Sequence, residues 1–264
     1  MAAKIKVIVS GALGKMGLET VRAVHQDRDL ELVGLLDMRG GQGDLGIELG
    51  DGLSLPVLID LGQALAAGPD VMIDFTNPQS VYTNTQTALV QGINCVVGTT
   101  GLSESQMTQL DELARQKGVG VAVIPNFAIG AVLMMKLAGE VARYLPDVEI
   151  IEMHHDQKID APSGTSIKTA EIINAARRRV PERKSQEIEK IPGARGGDLN
   201  GIKIHSVRLP GFIAHQEVIF GGVGQSLRIR HDSYDRVGFM PGVVMTVKKI
   251  VDLKGLVYGL ENLL

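Results

Sequence analysis

K-I-K-V-I-V-S-G-A-L-G-K-M-G, Lys4 to Gly17, is the stretch that decides the fold. From Lys4 to Ser10 the chain is dominated by Ile and Val, the composition of a strand buried on both faces of a parallel sheet. Three glycines follow at once, Gly11, Gly14 and Gly17. A helical stretch then runs from Leu18 to Gln26 and leads to a second strand, Glu31 to Leu36. This is a βαβ unit whose turn has the spacing G-x-x-G-x-x-G, a variant of the dinucleotide fingerprint. Without side chains in the way, backbone amides can approach a pyrophosphate at the helix N-terminus.

The acidic residue that such a site uses on ribose hydroxyls stands where it should. Asp37 closes the second strand about twenty residues past the last glycine. Lys15 and Arg39 are cations that either replace or supplement that contact with a 2′-phosphate, so both NADH and NADPH are expected to be usable.

Strand and helix keep alternating downstream. Val71 to Phe75 reads as a strand, followed by T-N-P-Q-S, where Pro78 suits a first helical turn, and by a helix to about Gln91. Asn94 to Gly98 is a strand. Ser103 and Gln106 form a capping box for a helix to Gln116. Val119 to Ile124 is another strand, ending in P-N-F. The expected fold is α/β, a Rossmann-like doubly wound parallel sheet over residues 1–127. Ligands of such sheets lie beyond the carboxyl ends of the strands. The predicted cofactor contacts are therefore Gly11, Ala12, Leu13, Gly14, Lys15, Met16, Asp37, Gly98, Thr99, Thr100, Pro125, Asn126 and Phe127, with Phe75 and Thr76 nearby. For the threonines, turn or cap roles compete with side-chain contact.

Composition narrows the partners. A net charge of -3 over 264 residues offers no basic field for nucleic acid, and the absence of Trp argues against a base-stacking surface. The one cysteine, Cys95, sits in an apolar run and reads as a small buried hydrophobe, which fits a reducing compartment. No segment approaches the length needed to span a bilayer, and the first residues lack the pattern of a signal or transit peptide. A cytoplasmic protein with no membrane partner is expected.

After Phe127 the pattern changes, and a second, α+β domain with an open mixed sheet is expected over 128–236. A helix from about Ile129 to Arg143 carries a Met-rich core face. Val148 to Thr169, V-E-I-I-E-M-H-H-D-Q-K-I-D-A-P-S-G-T-S-I-K-T, then combines a β-branched strand, two histidines, a lysine and a Pro-Ser-Gly-Thr turn that opens a helix to about Arg178. The pieces suit a small dianion. His154, His155 and Lys158 supply protons or positive charge, and the first amides after Pro162 offer a helix start to a carboxylate. Adjacent strand residues point to opposite faces, so one histidine reaches the ligand and the other acts where the strand ends.

Arg177 to Arg179 read as a solvated helix end, and the segment onward to Asn200 as a mobile loop. Ile202 to Arg208, Glu217 to Phe220 and Leu227 to His231 read as strands. In the last, Leu227 and Ile229 alternate with Arg228 and Arg230, giving one covered and one wet face. Such an open sheet packs against a copy of itself, so an oligomer is expected. His205, His215 and His231 are read as structural. Val243 to Val251 is helical, and residues 237–264 are expected to return to the first domain.

E-M-H-H-D-Q-K-I-D-A-P-S-G-T, with G-A-L-G-K-M-G, G-T-T-G, P-N-F-A-I-G and H-Q-E-V-I-F-G in order around it, resembles the dihydrodipicolinate reductases (4-hydroxy-tetrahydrodipicolinate reductases) of the diaminopimelate route of lysine biosynthesis. The resemblance spans essentially the whole chain. It implies NAD(P)H-dependent hydride transfer to a cyclic dicarboxylate, giving tetrahydrodipicolinate. It also implies His154 as proton donor and acceptor, Lys158 as second proton donor, His155, Lys158, Gly164 and Thr165 as substrate contacts, no catalytic metal, and a homotetramer. The chain departs from the pattern at Ser166, where many members have Ala, a change expected to be harmless. Met38 stands where some members place an arginine, and H-Q-E at 215–217 replaces the H-H-E of some relatives without assigned chemistry. Rival readings are another nicotinamide oxidoreductase, a metal site using His154, His155, Asp156 and Asp160, or a dinucleotide sensor without turnover.

Overall fold

The computed structural model describes residues 3–40, 46–49, 54–178 and 188–264. Its elements begin with β1 (Ile5–Ser10), α1 (Lys15–Gln26), β2 (Leu30–Leu36), β3 (Gly46–Glu48), β4 (Ser54–Leu58), α2 (Leu61–Leu65), β5 (Val71–Asp74), α3 (Val81–Val90), β6 (Asn94–Val97), α4 (Glu104–Lys117) and β7 (Gly120–Val123). They continue with α5 (Ile129–Ala142), β8 (Asp147–His154), α6 (Gly164–Ala176), β9 (Gly197–Leu199), β10 (Ile202–Arg208), β11 (Ala214–Gly222) and β12 (Gln225–Ser233). The last are α7 (Met240–Ile250) and β13 (Gly255–Tyr258). Two compact units result, 1–127 with 239–264, and 128–238. The expected break at 236 falls inside the short 3-10 turn Arg236–Phe239.

In the first unit the sheet order is β13-β7-β6-β5-β1-β2-β4-β3. Every neighbouring pair is parallel except β3 with β4. The central strands are apolar on both faces because helices cover both: Val7, Ile8, Val9, Met72, Ile73, Val96 and Val121 are all fully buried. Cys95 belongs to this core, and burial pushes its thiol well above the usual range. The capping box of α4 is present on both sides, Gln106 N–H to Ser103 Oγ at 3.2 Å and Ser103 N–H to Gln106 Oε1 at 2.9 Å.

Several expectations change here. α3 starts at Val81, because Asn77 Oδ1 accepts from Gln79 and Ser80 and makes an Asx turn that leaves Pro78 ahead of the helix. α7 starts earlier than Val243, with Pro241 in its first turn. β4, α2 and β13 were missed, being five, five and four residues long, too short to establish a period. β13 completes the sheet by pairing with β7, so 239–264 form part of the first unit.

The second unit carries a mixed sheet of order β12-β11-β8-β10-β9, in which β8 runs parallel to β10 and antiparallel to β11. β8 alternates cleanly: Val148, Ile150 and Glu152 are buried, with Glu149, Ile151 and Met153 between them only partly so. The Met-rich face of α5 is core, with Met134 and Met135 buried. The covered face expected of β12 is incomplete. Leu227, on the edge strand of the sheet, remains 41% exposed. Arg177 is not a solvated end either. Its guanidinium donates to the carbonyls of Pro146, at 3.5 Å, and Asn200, at 2.6 Å. Arg179 lies outside the described residues, as does 179–187 of the expected loop; the remainder to Asn200 contains the missed strand β9.

Candidate functional site

In the first unit the carboxyl ends of β1, β2 and β5 surround a cavity of about 340 Å³ lined by Gly11, Gly14, Asp37, Arg39, Ile59 and Thr76, among others. The turn that forms its floor requires glycine. Gly11 has φ +81°, and a Cβ there would lie 2.4 Å from the carbonyl oxygen of Phe75. A Cβ at Gly17 would lie 2.0 Å from the carbonyl oxygen of Gly11. Gly14 caps α1 with no side chain of its own, and the first-turn amides of Lys15 and Met16 have no intrahelical acceptor. Glycine cradle, cavity and helix N-terminus together fit a dinucleotide pyrophosphate.

Asp37 is buried at the cavity edge. Its carboxylate accepts from the Leu13 amide at 3.0 Å and from the Arg39 amide, Nε and Nη2, each at 3.0 Å. Burial pushes the carboxyl up, but the hydrogen bonds from Arg39 and Leu13 outweigh it and hold it below the usual range. Arg39 therefore lies folded onto Asp37 and is not extended as a separate phosphate-binding cation. At the end of β6, Thr99 donates to Asp74 Oδ1 at 2.8 Å, which commits its hydroxyl to a fully buried carboxylate also bound by Thr76 and Asn84. Phe127 is buried with its ring edge-on to Phe75, 5.6 Å between centroids, and Ala12 is buried too. Side-chain contact from Thr99, Phe127 or Ala12 would disrupt this packing, so the backbone is what they offer. Lys15, Thr100 and Pro125 are exposed, while Leu13, Met16, Gly98 and Asn126 are partly so.

In the second unit the carboxyl end of β8 gathers the other predicted residues. His154 is the last residue of β8, its side chain 15% exposed, with Nδ1 2.5 Å from Glu152 Oε2. His155 follows, and its carbonyl accepts from the Lys158 amide at 3.2 Å, which turns the chain. Lys158 Nζ lies 2.7 Å from Asp160 Oδ1. After a cis Ala161-Pro162 bond, Ser163 caps α6 by accepting from the Ser166 amide at 3.2 Å. Gly164 and Thr165 then occupy the first two helical positions, where the positive end of the dipole favours an anion. Apart from its chain neighbours and its own helix backbone, no atom lies within 4 Å of where a Gly164 Cβ would be, and Gly164 is exposed.

Sequence reasoning passed over the groups behind this surface. Glu152 is fully buried and receives a two-pronged contact from Arg208, Nη1 to Oε2 at 2.9 Å and Nη2 to Oε1 at 2.8 Å. Burial pushes Glu152 up, but hydrogen bonds from His154, Arg208 and Ser206 dominate and bring it down to about 2. Gln216 is buried and bridges α6, accepting from Ser166 Oγ at 2.8 Å and donating to Thr169 Oγ1 at 2.8 Å. Ser166 and Gln216, neither of which was expected to carry chemistry, bond to each other, a pairing that spacing along the chain could not reveal. His215 and His205 are held by Asp232 and Glu149, and His231 packs beside Gly130, its basicity lowered by burial.

A Rossmann-type unit with a glycine cradle, joined in one chain to an α+β unit that carries His154, His155 and Lys158 just past one strand end, defines a nicotinamide-dependent oxidoreductase. Comparison with known proteins makes the class specific. The dihydrodipicolinate reductase N-terminus family matches residues 5–127, and the dihydrodipicolinate reductase C-terminus family matches 130–264. A 4-hydroxy-tetrahydrodipicolinate reductase of Syntrophomonas wolfei is 60% identical over all of both chains. Another, of Enterococcus faecalis, is 52% identical over 98% of this chain and 100% of its own. A dipicolinate-bound dihydrodipicolinate reductase from Paenisporosarcina sp. TG-14 superposes with a TM-score of 0.89 at 46% identity, covering 99% of this chain and 100% of that one. The chain belongs to the dihydrodipicolinate reductase family and is an oxidoreductase that uses NAD(P)H.

Proposed function

We propose that the chain reduces 4-hydroxy-tetrahydrodipicolinate to tetrahydrodipicolinate with NADH or NADPH, in the diaminopimelate route of lysine biosynthesis. The observation that carries this reading is the grouping of His154, Lys158 and the N-terminus of α6 at the end of β8, in a chain 60% identical throughout to a relative of that name. Residues 1–127, with 237–264 returning to them, act as the dinucleotide-binding domain, and 128–236 as the substrate-binding and oligomerisation domain. When bound, the reduced nicotinamide supplies the hydride.

The chain's own residues divide the remaining work. Gly11, Ala12, Leu13, Gly14, Lys15 and Met16 hold the pyrophosphate chiefly through backbone amides. Asp37 takes the ribose, and Gly98, Thr99, Thr100, Pro125, Asn126 and Phe127 border the rest of the cofactor. Gly164 and Thr165 receive one carboxylate of the substrate at the helix start, while Lys158 and His155 neutralise charge beside it. Losing the hydroxyl as water and adding hydride to the ring both call for a positioned acid. His154 delivers that proton, and Lys158 is the second donor.

The protein acts in the cytoplasm as a homotetramer paired through the outer strands of the second sheet. The assembly is supported by the edge strand β12, on which Leu227, Arg228 and Arg230 are exposed. Sedimentation should give a mass near four chains, and a monomer would remove the assembly. The activity is tested by supplying freshly made synthase product and following loss of nicotinamide absorbance with each cofactor. Turnover with both is expected, and binding of NADPH without turnover would favour a sensor.

A further inference from the structure

Behind the proposed donors, one guanidinium reaches both of them indirectly. Arg208 stands opposite His154 in the β10–β8 register. Its fork closes on Glu152, which in turn holds His154 Nδ1, and its Nη2 also donates to the backbone carbonyl of Asp160 at 2.7 Å. The Asp160 side chain is the partner of Lys158 Nζ. We propose that Glu152 and Arg208 are positioning residues: Glu152 holds the His154 ring with Nε2 turned toward the ligand, and Arg208 keeps that carboxylate in register with the turn carrying Lys158.

The chemistry favours positioning over simple stability. A buried ion pair costs about as much in lost hydration as it returns, so apolar side chains of similar volume would serve the core equally well. A carboxylate only accepts hydrogen bonds. In the neutral ring the proton must therefore sit on Nδ1, and in the charged ring Nε2–H is the proton left to give. A carboxylate fixed at both oxygens by a planar fork cannot rotate away from the ring, which a Lys–Glu pair would allow. The inference rests on the roles proposed for His154 and Lys158.

The test compares Glu152→Gln and Arg208→Lys with the wild type by steady-state kinetics, dipicolinate titration and ¹⁵N NMR of the histidine rings. For Glu152→Gln, kcat should fall by roughly 10- to 100-fold, the cost of a misplaced reacting group, while KM and the dipicolinate Kd stay nearly unchanged. Its neutral His154 ring should lose the uniform Nδ1–H form of the wild type. Arg208→Lys keeps the charge but not the three-way contact, so kcat and dipicolinate affinity should both fall.

Wild-type turnover in Glu152→Gln, or equal losses of kcat and dipicolinate affinity with the ring unchanged, would overturn the proposal. Should that variant fail to fold, the wild-type ring decides alone: Nδ1–H supports the assignment and Nε2–H refutes it. His154→Ala separates the two levels. Full activity there removes the donor itself, whereas an inactive His154→Ala beside a fully active Glu152→Gln removes only the positioning role.

Discussion

The turn after β1 and the turn after β8 are built on opposite principles. The first is made of backbone: Gly11 and Gly17 bring chain segments so close that a single added carbon would strike a carbonyl. The second is made of side chains held by other side chains, His154 by Glu152, Glu152 by Arg208, Lys158 by Asp160. A polyphosphate asks for amides in a fixed concave array, which conformation alone supplies. Proton delivery asks for a titratable group at a fixed angle, which needs a partner. Damage to the first should show as lost cofactor affinity, and damage to the second as lost turnover.

The largest expected effect is on the second turn. His154→Ala and Lys158→Ala should each lower kcat by about a hundredfold or more while leaving the NADPH Kd unchanged, since a positioned acid is lost and the glycine turn is untouched. Wild-type kcat in both would erase the contrast.

The buried carboxylate should also mark the pH dependence of folding. Glu152 is depressed to about 2, so its stabilisation is complete above its ordinary value near 4.5 and is lost as pH falls from there toward about 2. That span corresponds to about 3 kcal/mol. Urea unfolding of the wild type and Glu152→Gln should therefore converge over that window, and parallel pH profiles would show that Glu152 is not held as described.

On the first turn, Gly17→Ala must push its own helix away from Gly11, at a cost of about 1–3 kcal/mol. Its NADPH affinity should drop, by fluorescence titration, with dipicolinate affinity intact. Loss of both would mean that the turns are not independent.

The smallest effect concerns cofactor choice. Asp37→Ala frees Arg39 from its present contacts, so NADH binding should weaken by roughly tenfold, the worth of a hydrogen bond to a charged group, with NADPH less affected. Equal losses would assign Asp37 to holding Leu13 and Arg39 alone.

The same contrast governs what could be read from the chain. Period and glycine spacing are local, so the βαβ unit, the capping box at Ser103 and the helix start at Ser163 were legible before any coordinates. His154 and Lys158 were legible in the run of histidines and lysine itself, and the family pattern added the roles proposed for them. Glu152 was not, because it shares β8 with Asp147 and Glu149 and looks like another outward acid until the strands are paired. Arg208 and Gln216 are 56 and 50 residues from the groups they hold, Glu152 and Ser166, and those separations carry no pattern. Short strands such as β9 and β13 were lost for a related reason, since their place is set by the neighbouring strand they pair with.

A crystal structure of the protein with NADPH and dipicolinate tests the central claim most directly. A carboxylate of dipicolinate should lie at the first turn of α6, on the amides of Gly164 and Thr165 with Lys158 Nζ beside it, and the NADPH pyrophosphate should lie against Gly11 to Met16. Dipicolinate bound away from Lys158 and Thr165 would contradict the account.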